Sequence, residues 1–566
     1  MRSIHAASPL RRTLVAAACC VAFAASPTLA SVADHREFEA TLHAPYQADP
    51  GSRFARTFTL TFDYPFAQRN HGVGWRLDLL AKSGQVLKRW RGATQLDGGA
   101  KDVRLKWSDA DSGRAIADGA YRVRLQAVAR GGRAPVTEGA IDRALSSADG
   151  DVIEQSWDIV IGKAGAPRMP EFAAMASTKA LRPTAVAAPA TGSLPFTVYY
   201  ANLHSQTSHS DGGGDLSACK GAQAPQGGAH GPRQAYAFAR ERGLDILMAS
   251  EHNHMYDGSE GPNPEASPDA AKALYQAGLA AAGDFSAANP GFLALYGMEW
   301  GVINNGGHVN ILNAPELLAW ESDADGRLIG DTFTAKGDYA GLYALMRQRG
   351  WLGQFNHPAV NGQFNVNGVA LGYTEDGDEA MALCEVLNTS AFSANTTETE
   401  TRRSNFEMAC NKALEAGFHV AFSSNQDNHC ANWGASFTNR TGVLIPNGVS
   451  LTQESFVEAV KARRVFATMD KNSQLVLTAN GHVMGARIAN SGVLRLAATY
   501  ANSEGRTVAA VSIVEGVPGR KGSVSEVAAT AEAEIVPARG EHFYYAKITQ
   551  DDGKILWSAP IWVTQE

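Results

Sequence analysis

Histidines and carboxylates recur at the ends of apolar, strand-like segments in the central part of this 566-residue sequence. The first such segment, "NLHSQTSHSDGGG" at 202–214, contains His204, Gln206 and Asp211. Imidazole nitrogens and carboxylate oxygens together suit Zn²⁺, Mn²⁺ and Fe²⁺. Ca²⁺ instead prefers ligand sets made only of oxygen, and Cu⁺ prefers sulfur. These residue types therefore point to binding of divalent transition metals.

Five further strand-like segments carry the same residue types, four of them at the end of the run and one at its beginning. In chain order these segments contribute Glu251 and His252, Glu299, His308, His357, and Asp427 with His429. Eight or nine ligands are too many for one tetrahedral ion. The pattern predicts two or three metals, bridged by a carboxylate and by a hydroxide that serves as the nucleophile of a hydrolysis reaction.

The elements that must position these residues alternate between strand and helix patterns over 195–470. One helix, "GPRQAYAFARERG", opens with Pro232 and stops at Gly243, which are typical start and stop residues. Seven strands in such an alternation indicate a parallel sheet, open or closed, and favour a (β/α)7 barrel. All strand C-termini of a parallel barrel open on one face, so the ligand candidates are expected to converge. His308 begins its strand-like run, and we expect it to reach the site from the loop after Glu299.

Two all-β segments flank the central part. Period-two alternation over 31–165 predicts an N-terminal β-sandwich, and similar strands over 471–566 predict a C-terminal β-sandwich. The N-terminal segment vaguely resembles immunoglobulin-like modules. Residues 166–194 are rich in alanine and proline and indicate a linker. The predicted fold class is a multidomain protein that combines one α/β barrel with two all-β domains.

The first thirty residues are typical of an export signal: a basic start, a short apolar run and small residues up to Ala30. The pair Arg11-Arg12 weakly resembles a twin-arginine signal. We expect a periplasmic or secreted protein without a membrane span, because no other segment is apolar enough to cross a bilayer.

Four cysteines remain after removal of the predicted signal: Cys219, Cys384, Cys410 and Cys430. In an oxidising compartment they permit two disulfides, but the spacings do not fix the pairing. The glycines at 212–214 are interpreted as a hinge for the loop that carries Cys219.

The charge of the chain argues against a nucleic-acid partner. The whole sequence has a net charge of −7; the predicted signal contains three arginines and no acids, so its removal gives −10. An acidic, exported protein lacks the basic surface that nucleic-acid binding requires. A small-molecule or phosphoester substrate is the expected partner.

The ligand segments resemble, in order, the motifs of the PHP (polymerase and histidinol phosphatase) metallohydrolases, and more narrowly an exported, carbaryl-hydrolase-like branch. They stand here as "LHSQTSHSDG", "ASEHN", "GMEW", "GGHVNIL", "FNHP" and "QDNH". "CEVLN" also resembles a family strand, and the resemblance covers about 195–470. It implies a distorted seven-stranded βα barrel with up to three metals.

Carried over motif by motif, the resemblance implies three metal positions, two of which share Glu299. The first would take His204, the position of Gln206, Glu299 and Asp427; the second Asp211, His252 and His429; and the third Glu299, His308 and His357. Two residues depart from the pattern: Gln206 replaces a histidine, and Glu251 replaces an aspartate. A glutamine offers only a neutral carbonyl oxygen, so the first position is expected to bind metal weakly.

The implied function is metal-dependent hydrolysis, with a phosphoester as the first substrate class and a carbamate, amide or ester as the alternative. His254 or Glu251 could protonate the leaving group, and Arg440 could bind an anionic group of the substrate. A different class of function is also open. In that alternative the barrel is a non-catalytic, metal-holding scaffold, the sandwiches dock a partner, and Gln206 is the feature in its favour.

Overall fold

The computed structural model of the chain describes residues 38–64, 70–108, 116–147, 152–163, 165–177, 194–219, 223–302, 306–358, 365–366, 369–370 and 373–566. The predicted export signal at 1–30 and residues 178–193 of the predicted linker lie outside these ranges. The helices within them are α1 Glu138–Ser146, α2 Pro232–Glu241, α3 Pro268–Ala288, α4 Tyr339–Arg349, α5 Glu375–Ala380, α6 Glu407–Ala416 and α7 Gln453–Lys461. None of these helices combines the length and apolarity needed to cross a bilayer.

The N-terminal part contains a three-stranded and a four-stranded antiparallel sheet, in the orders β1-β2-β5 and β4-β3-β6-β7. The strands are β1 Glu39–His43, β2 Arg56–Asp63, β3 His71–Leu80, β4 Val86–Leu96, β5 Lys101–Trp107, β6 Gly119–Gly131 and β7 Val152–Ile161. Side chains alternate between the faces of a strand, and in β2 Phe58, Leu60 and Phe62 are fully buried. Helix α1, which the alternation did not predict, is capped by Thr137, whose side chain accepts from the Ala140 N–H.

The central part holds most of the mixed strand and helix structure. Its strands are β8 Ala176–Ser177, β9 Phe196–Asn202, β10 Ile246–His252, β11 Leu293–Val302, β12 Gly307–Ile311, β13 Leu318–Ala319, β14 Thr332–Phe333, β15 Gly353–Phe355, β16 Asn365–Val366, β17 Val369–Ala370, β18 Met381–Thr389, β19 Arg403–Asn405, β20 Ala421–Asn425, β21 Arg440–Pro446 and β22 Val465–Thr468. Strands β9, β10, β11, β12, β15, β18 and β20 pair in that order. An isolated bridge between Ser205 and Asn428 links the segments that follow β9 and β20. The complete (β/α)7 architecture stays a prediction.

The alternation predicted a parallel sheet, but the central sheet is not parallel throughout. Strand β12 runs antiparallel to β11 and β15, and Gly301 of β11 pairs with His308 of β12. The beginning of an antiparallel strand lies at the same edge as the ends of its parallel neighbours. His308 therefore reaches the ligand edge because its strand is reversed.

The C-terminal part is joined to the central sheet by hydrogen bonds. Its strands are β23 Ser473–Ala479, β24 His482–Val483, β25 Arg487–Asn490, β26 Leu494–Asn502, β27 Val508–Gly516, β28 Ser525–Ala528, β29 Glu532–Ile535, β30 Gly540–Gln550, β31 Ile555–Ser558 and β32 Ile561–Gln565. Strand β31 pairs with β22, so that Phe466 lies opposite Ser558. A second sheet, β24-β23-β26-β29, belongs to the C-terminal part alone.

Both cysteine pairs are within bonding distance, which gives the pairing that the spacings left open. Cys219 bonds to Cys430, and Cys384 bonds to Cys410. The first disulfide joins the loop after β9 to the segment after β20, and the second joins β18 to α6. The first disulfide lies next to the ligand edge, since Cys430 follows His429 directly.

A partly buried ionic cluster joins the three parts of the chain. Lys547 of β30 places its Nζ 3.2 Å from an oxygen of Asp158 in β7 and 2.8 Å from an oxygen of Glu407 in α6. Burial raises the pKa of both carboxyls, but Lys547 and Arg122 together outweigh burial and lower the pKa of each below its ordinary value. The Tyr545 hydroxyl donates a further bond to Glu407.

Replacing Lys547 with methionine is expected to destabilise the protein by about 3 kcal/mol, because the two carboxylates lose their shared buried cation. The midpoint of urea unfolding measures the change. Lys101→Met, on an exposed part of β5, is the matched control and should leave the midpoint unchanged. Equal midpoints for Lys547→Met and the control would show that the cluster does not stabilise the assembled chain.

Candidate metal centre

Glu299, in the middle of β11, is surrounded by imidazoles. Its Oε1 lies 2.9 Å from His308 Nδ1 and 3.2 Å from His357 Nε2. Its Oε2 lies 3.1 Å from His204 Nε2 and 3.5 Å from His252 Nδ1. Both oxygens of one carboxylate are therefore within reach of two histidines each, which is the geometry of a bridging ligand.

Three groups of ligand atoms each lie within 4.8 Å of one another: His204, Glu299 and His357; Asp211, His252 and His429; and His252, Glu299 and His308. The second group has the membership that the resemblance implied. The other two groups differ from those that the resemblance implied. His357 lies with His204, and His308 lies with His252, whereas the resemblance placed His308 and His357 together. Asp427 adds a carboxylate oxygen 3.0 Å from His204 Nε2.

The paired strands bring these residues to one edge of the sheet. His252 ends β10, and in the ladder it lies directly opposite Glu299 of β11. His308 lies in β12, and the remaining ligands come from the segments that follow β9, β15 and β20. Two of them, His357 at φ 25° and Asp427 at φ 49°, have a backbone conformation that non-glycine residues rarely adopt. Such strained residues persist where the surrounding structure over-determines them, as it does at functional sites.

The electrostatics of the cluster keep Glu299 ionised. Burial raises the pKa of Glu299, but His204, His308 and His252 outweigh burial and lower it well below the ordinary value. Burial likewise lowers the pKa of His204, yet Asp427, Glu299 and Glu385 together raise it well above its ordinary value. Glu299 is thus in the ionised form that can bind a cation.

In the second group, too, neighbouring charges outweigh the effect of burial on the pKa. His429 Nε2 lies 3.4 Å from Asp211 Oδ1, and His252 Nε2 lies 3.5 Å from the same oxygen. Burial lowers the pKa of His429, but Asp211 and then Asp427 raise it to about 10. Burial raises the pKa of Asp427, whereas His204 lowers it strongly.

The donor set fits divalent transition metals. Five imidazoles and three carboxylates meet in an interior where all but His357 are almost completely buried. So many ionisable groups are costly to bury without a neutralising cation. Mixed nitrogen and oxygen donors suit Zn²⁺, Mn²⁺ or Fe²⁺, and two groups that share Glu299 or His252 suit adjacent ions.

Gln206 turns its amide nitrogen, not its oxygen, toward the centre. Its Nε2 donates to Glu299 Oε2 at 2.7 Å, and its Oε1 accepts from the Ser210 hydroxyl at 3.3 Å. Asn356 donates a second amide bond, from Nδ2 to Glu299 Oε1 at 2.8 Å. A hydrogen-bond donor cannot bind a cation, so in this orientation Gln206 orients the carboxylate rather than serving as a ligand.

The two candidate proton donors differ in their surroundings. Glu251 is fully buried and accepts from the Thr207 N–H, the Thr207 hydroxyl and the Ser210 hydroxyl. Burial raises the pKa of Glu251 to about 7, against the opposing effect of these bonds. Its contacts hold the loop that carries Asp211. His254 instead stacks on Trp320, with ring centroids 5.8 Å apart, and lies 5.7 Å from the ring of His252.

Arg440, predicted as a substrate contact, is fully buried at the start of β21. Its guanidinium donates to the carbonyls of Phe437, Asn439 and Gly434 and to the Glu398 carboxylate. Burial lowers the pKa of Arg440, while Glu398 opposes that effect. These contacts fix the loop before β21 and leave Arg440 turned toward the protein.

The glycines at 212–214 are packed tightly, which contradicts the hinge interpretation. A Cβ at Gly212 would lie 2.4 Å from the Gln206 carbonyl carbon, and a Cβ at Gly213 would lie 2.0 Å from the His230 carbonyl oxygen. Gly213 also has φ 70°, which favours glycine. The residues are small because the ligand loop folds closely against itself. His209, beside them, bonds to the Tyr296 hydroxyl at 2.6 Å, away from the three ligand groups.

Sequence reasoning missed Glu385 and Asn356 as members of the site. Glu385 is a fully buried carboxylate in β18, 3.2 Å from His204 Nδ1. The signal was present, since one acid stands inside the apolar segment "MALCEVLN". An acid in a buried strand requires a partner.

Comparison with known proteins identifies no family for the chain. No family model matches it, and no curated protein matches it. Among solved structures, a Parabacteroides merdae beta-glucuronidase is 7% identical at a TM-score of 0.16, over 94% of this chain and 65% of that one. A Bacteroides uniformis beta-glucuronidase is 9% identical at a TM-score of 0.16, over 93% and 61%. The chain thus spans less than two thirds of either glucuronidase, and likeness at this level does not bear on its function.

Replacing Gln206 with histidine is expected to increase the metal content by about one equivalent, because an imidazole would replace an amide donor beside His204 and Glu299. Mass spectrometry of Mn²⁺- or Zn²⁺-loaded protein after gel filtration measures the content. Gln206→Asn, which keeps an amide, is the matched control and should match the wild type. An unchanged content in Gln206→His would mean that this position does not limit metal binding.

Proposed function

We propose that the protein is an exported, metal-dependent hydrolase whose first substrate class is a phosphoester. The observation that carries the proposal is Glu299, whose two carboxylate oxygens lie within 2.9–3.5 Å of four imidazoles. A carboxylate so placed can bridge two cations, as in two-metal phosphatases and nucleases.

The residues that would hold the metals are those of the three ligand groups, together with Asp427. Divalent ions bound there supply Lewis acidity, a template for the substrate and a nucleophile at neutral pH. Divalent ions held there would offset the carboxylates of Asp211, Glu299, Asp427 and Glu385 and could bind the anionic oxygens of a phosphoester.

His254 is the side chain that we assign to transfer a proton to the leaving group. It follows the ligand His252 by two residues, in the short 3₁₀ turn Asn253–Met255. The stack on Trp320 fixes the plane of its ring, and its 3% exposure keeps bulk water from competing for the proton. Glu251 is assigned to position the Asp211 loop.

Hydrolysis of a carbamate, amide or ester is the second candidate, and the burial of Arg440 favours it. A phosphoester site commonly uses an arginine to bind the anionic oxygens. Here the guanidinium of Arg440 is bonded to backbone carbonyls and Glu398. A neutral acyl substrate needs no such cation.

Two disulfides support the proposed export, because stable disulfides belong mainly to oxidising compartments. The alternative of a non-catalytic scaffold rests on Gln206 alone. The remaining ligand groups are each complete as sets of three. We therefore place the catalytic function first.

Metal-loaded protein is expected to hydrolyse p-nitrophenyl phosphate or bis-p-nitrophenyl phosphate faster than p-nitrophenyl acetate or an aryl N-methylcarbamate. Dialysis against a chelator should abolish turnover, and Mn²⁺ or Zn²⁺ should restore it. Faster turnover of the acetate or carbamate would transfer the assignment to the second candidate. Metal-loaded protein that turns over none of the four would favour the scaffold.

Replacing His254 with asparagine is expected to lower kcat by about 10²-fold or more for a substrate with a poor leaving group, because proton transfer is lost. The loss should be much smaller for a p-nitrophenyl substrate, whose leaving group needs no proton. His482→Asn, on an exposed strand, is the matched control. Equal losses for both substrates would argue against proton transfer by His254.

A further inference from the structure

We propose that Glu385 is a positioning residue that sets the metal affinity of the group His204, Glu299 and His357 without itself binding metal. The inference rests on the proposed metal-dependent function and adds a residue to its site. Glu385 lies in β18, outside the three ligand groups, and is fully buried.

The two oxygens of Glu385 accept hydrogen bonds from opposite sides. Oε1 lies 3.2 Å from His204 Nδ1 and 3.0 Å from Asn425 Nδ2. Oε2 accepts from the backbone N–H of His357 at 2.7 Å. One carboxylate thus contacts two of the three ligands of a single group.

The contact with His204 decides which ring nitrogen faces the centre. With Nδ1 donating to Glu385, Nε2 is the nitrogen that points toward Glu299, at 3.1 Å. In a neutral imidazole one nitrogen donates and the other accepts, so a donating Nδ1 leaves the Nε2 lone pair for a metal. A carboxylate behind a ligand histidine commonly has this role.

The contact with His357 holds a strained backbone. His357 has φ 25°, a backbone conformation that non-glycine residues rarely adopt. The 2.7 Å bond from its N–H to Glu385 Oε2 stabilises that conformation directly. The His357 ring can then reach Glu299 Oε1 at 3.2 Å.

The position requires a carboxylate rather than an amide. Every partner of Glu385 named above presents a donor: an imidazole N–H, an amide N–H and a backbone N–H. A glutamine has one accepting oxygen and one donating nitrogen. In either orientation one side would then oppose donor to donor, so Glu385→Gln should misplace either His204 or His357.

The experiment compares metal binding by the full-length wild type, Glu385→Gln and Glu415→Gln. Glu415 is a buried acid of α6 that accepts from the N–H groups of Ser523 and Val524, and it serves as the matched control. Zn²⁺ is titrated in competition with a chromophoric chelator. We expect the affinity of one equivalent to fall about 10–100-fold in Glu385→Gln and to stay unchanged in Glu415→Gln. Absorption spectra of Co²⁺-loaded protein should change in Glu385→Gln only.

Wild-type affinity and an unchanged Co²⁺ spectrum in folded Glu385→Gln would overturn the inference while leaving the proposed function intact. A wild type that binds no Zn²⁺ would overturn the proposed function itself. Circular dichroism checks folding. If Glu385→Gln does not fold, Glu385→Asp decides: the shorter carboxylate cannot reach both sides, so its affinity should fall, and wild-type affinity would contradict the inference.

Discussion

The ligand edge depends on one buried carboxylate, Glu299. Four imidazoles and two side-chain amides approach its two oxygens, from segments that follow or form β9, β10, β12 and β15. A carboxylate in an apolar interior is costly unless charge and hydrogen bonds compensate it. The surrounding parallel strands must therefore end at one place, and the antiparallel β12 must begin there.

The residues behind the ligands hold them in a similar way. Glu251 fixes the loop of Asp211, Glu385 contacts His204 and the His357 backbone, and the Cys219–Cys430 disulfide joins the loop after Asp211 to the residue after His429. The parts of the chain around the centre are also connected, since β22 pairs with β31 and Lys547 binds carboxylates from two other parts. Rigid support of this kind keeps metal ligands within the narrow tolerances that binding requires.

The sequence predicted which candidate ligands come together better than it predicted how they are arranged. The helix start at Pro232 and the histidines at strand ends could be predicted, because helix-start preferences depend on short segments and parallel strands end at the same edge. The direction of β12, the amide orientation of Gln206 and the three donors to Glu385 depend on contacts between distant segments. Arg440 shows most directly what the sequence could not predict. Its position after the last ligand pair suggested a substrate contact, but its guanidinium is buried and donates to backbone carbonyls.

Anomalous diffraction from crystals of the metal-loaded protein, collected at the absorption edge of the metal, tests the central claim most directly. The account predicts at least two peaks, one bound by Glu299 and one by Asp211, His252 and His429. A single peak outside these residues, or none in a protein that retains its fold, would contradict it.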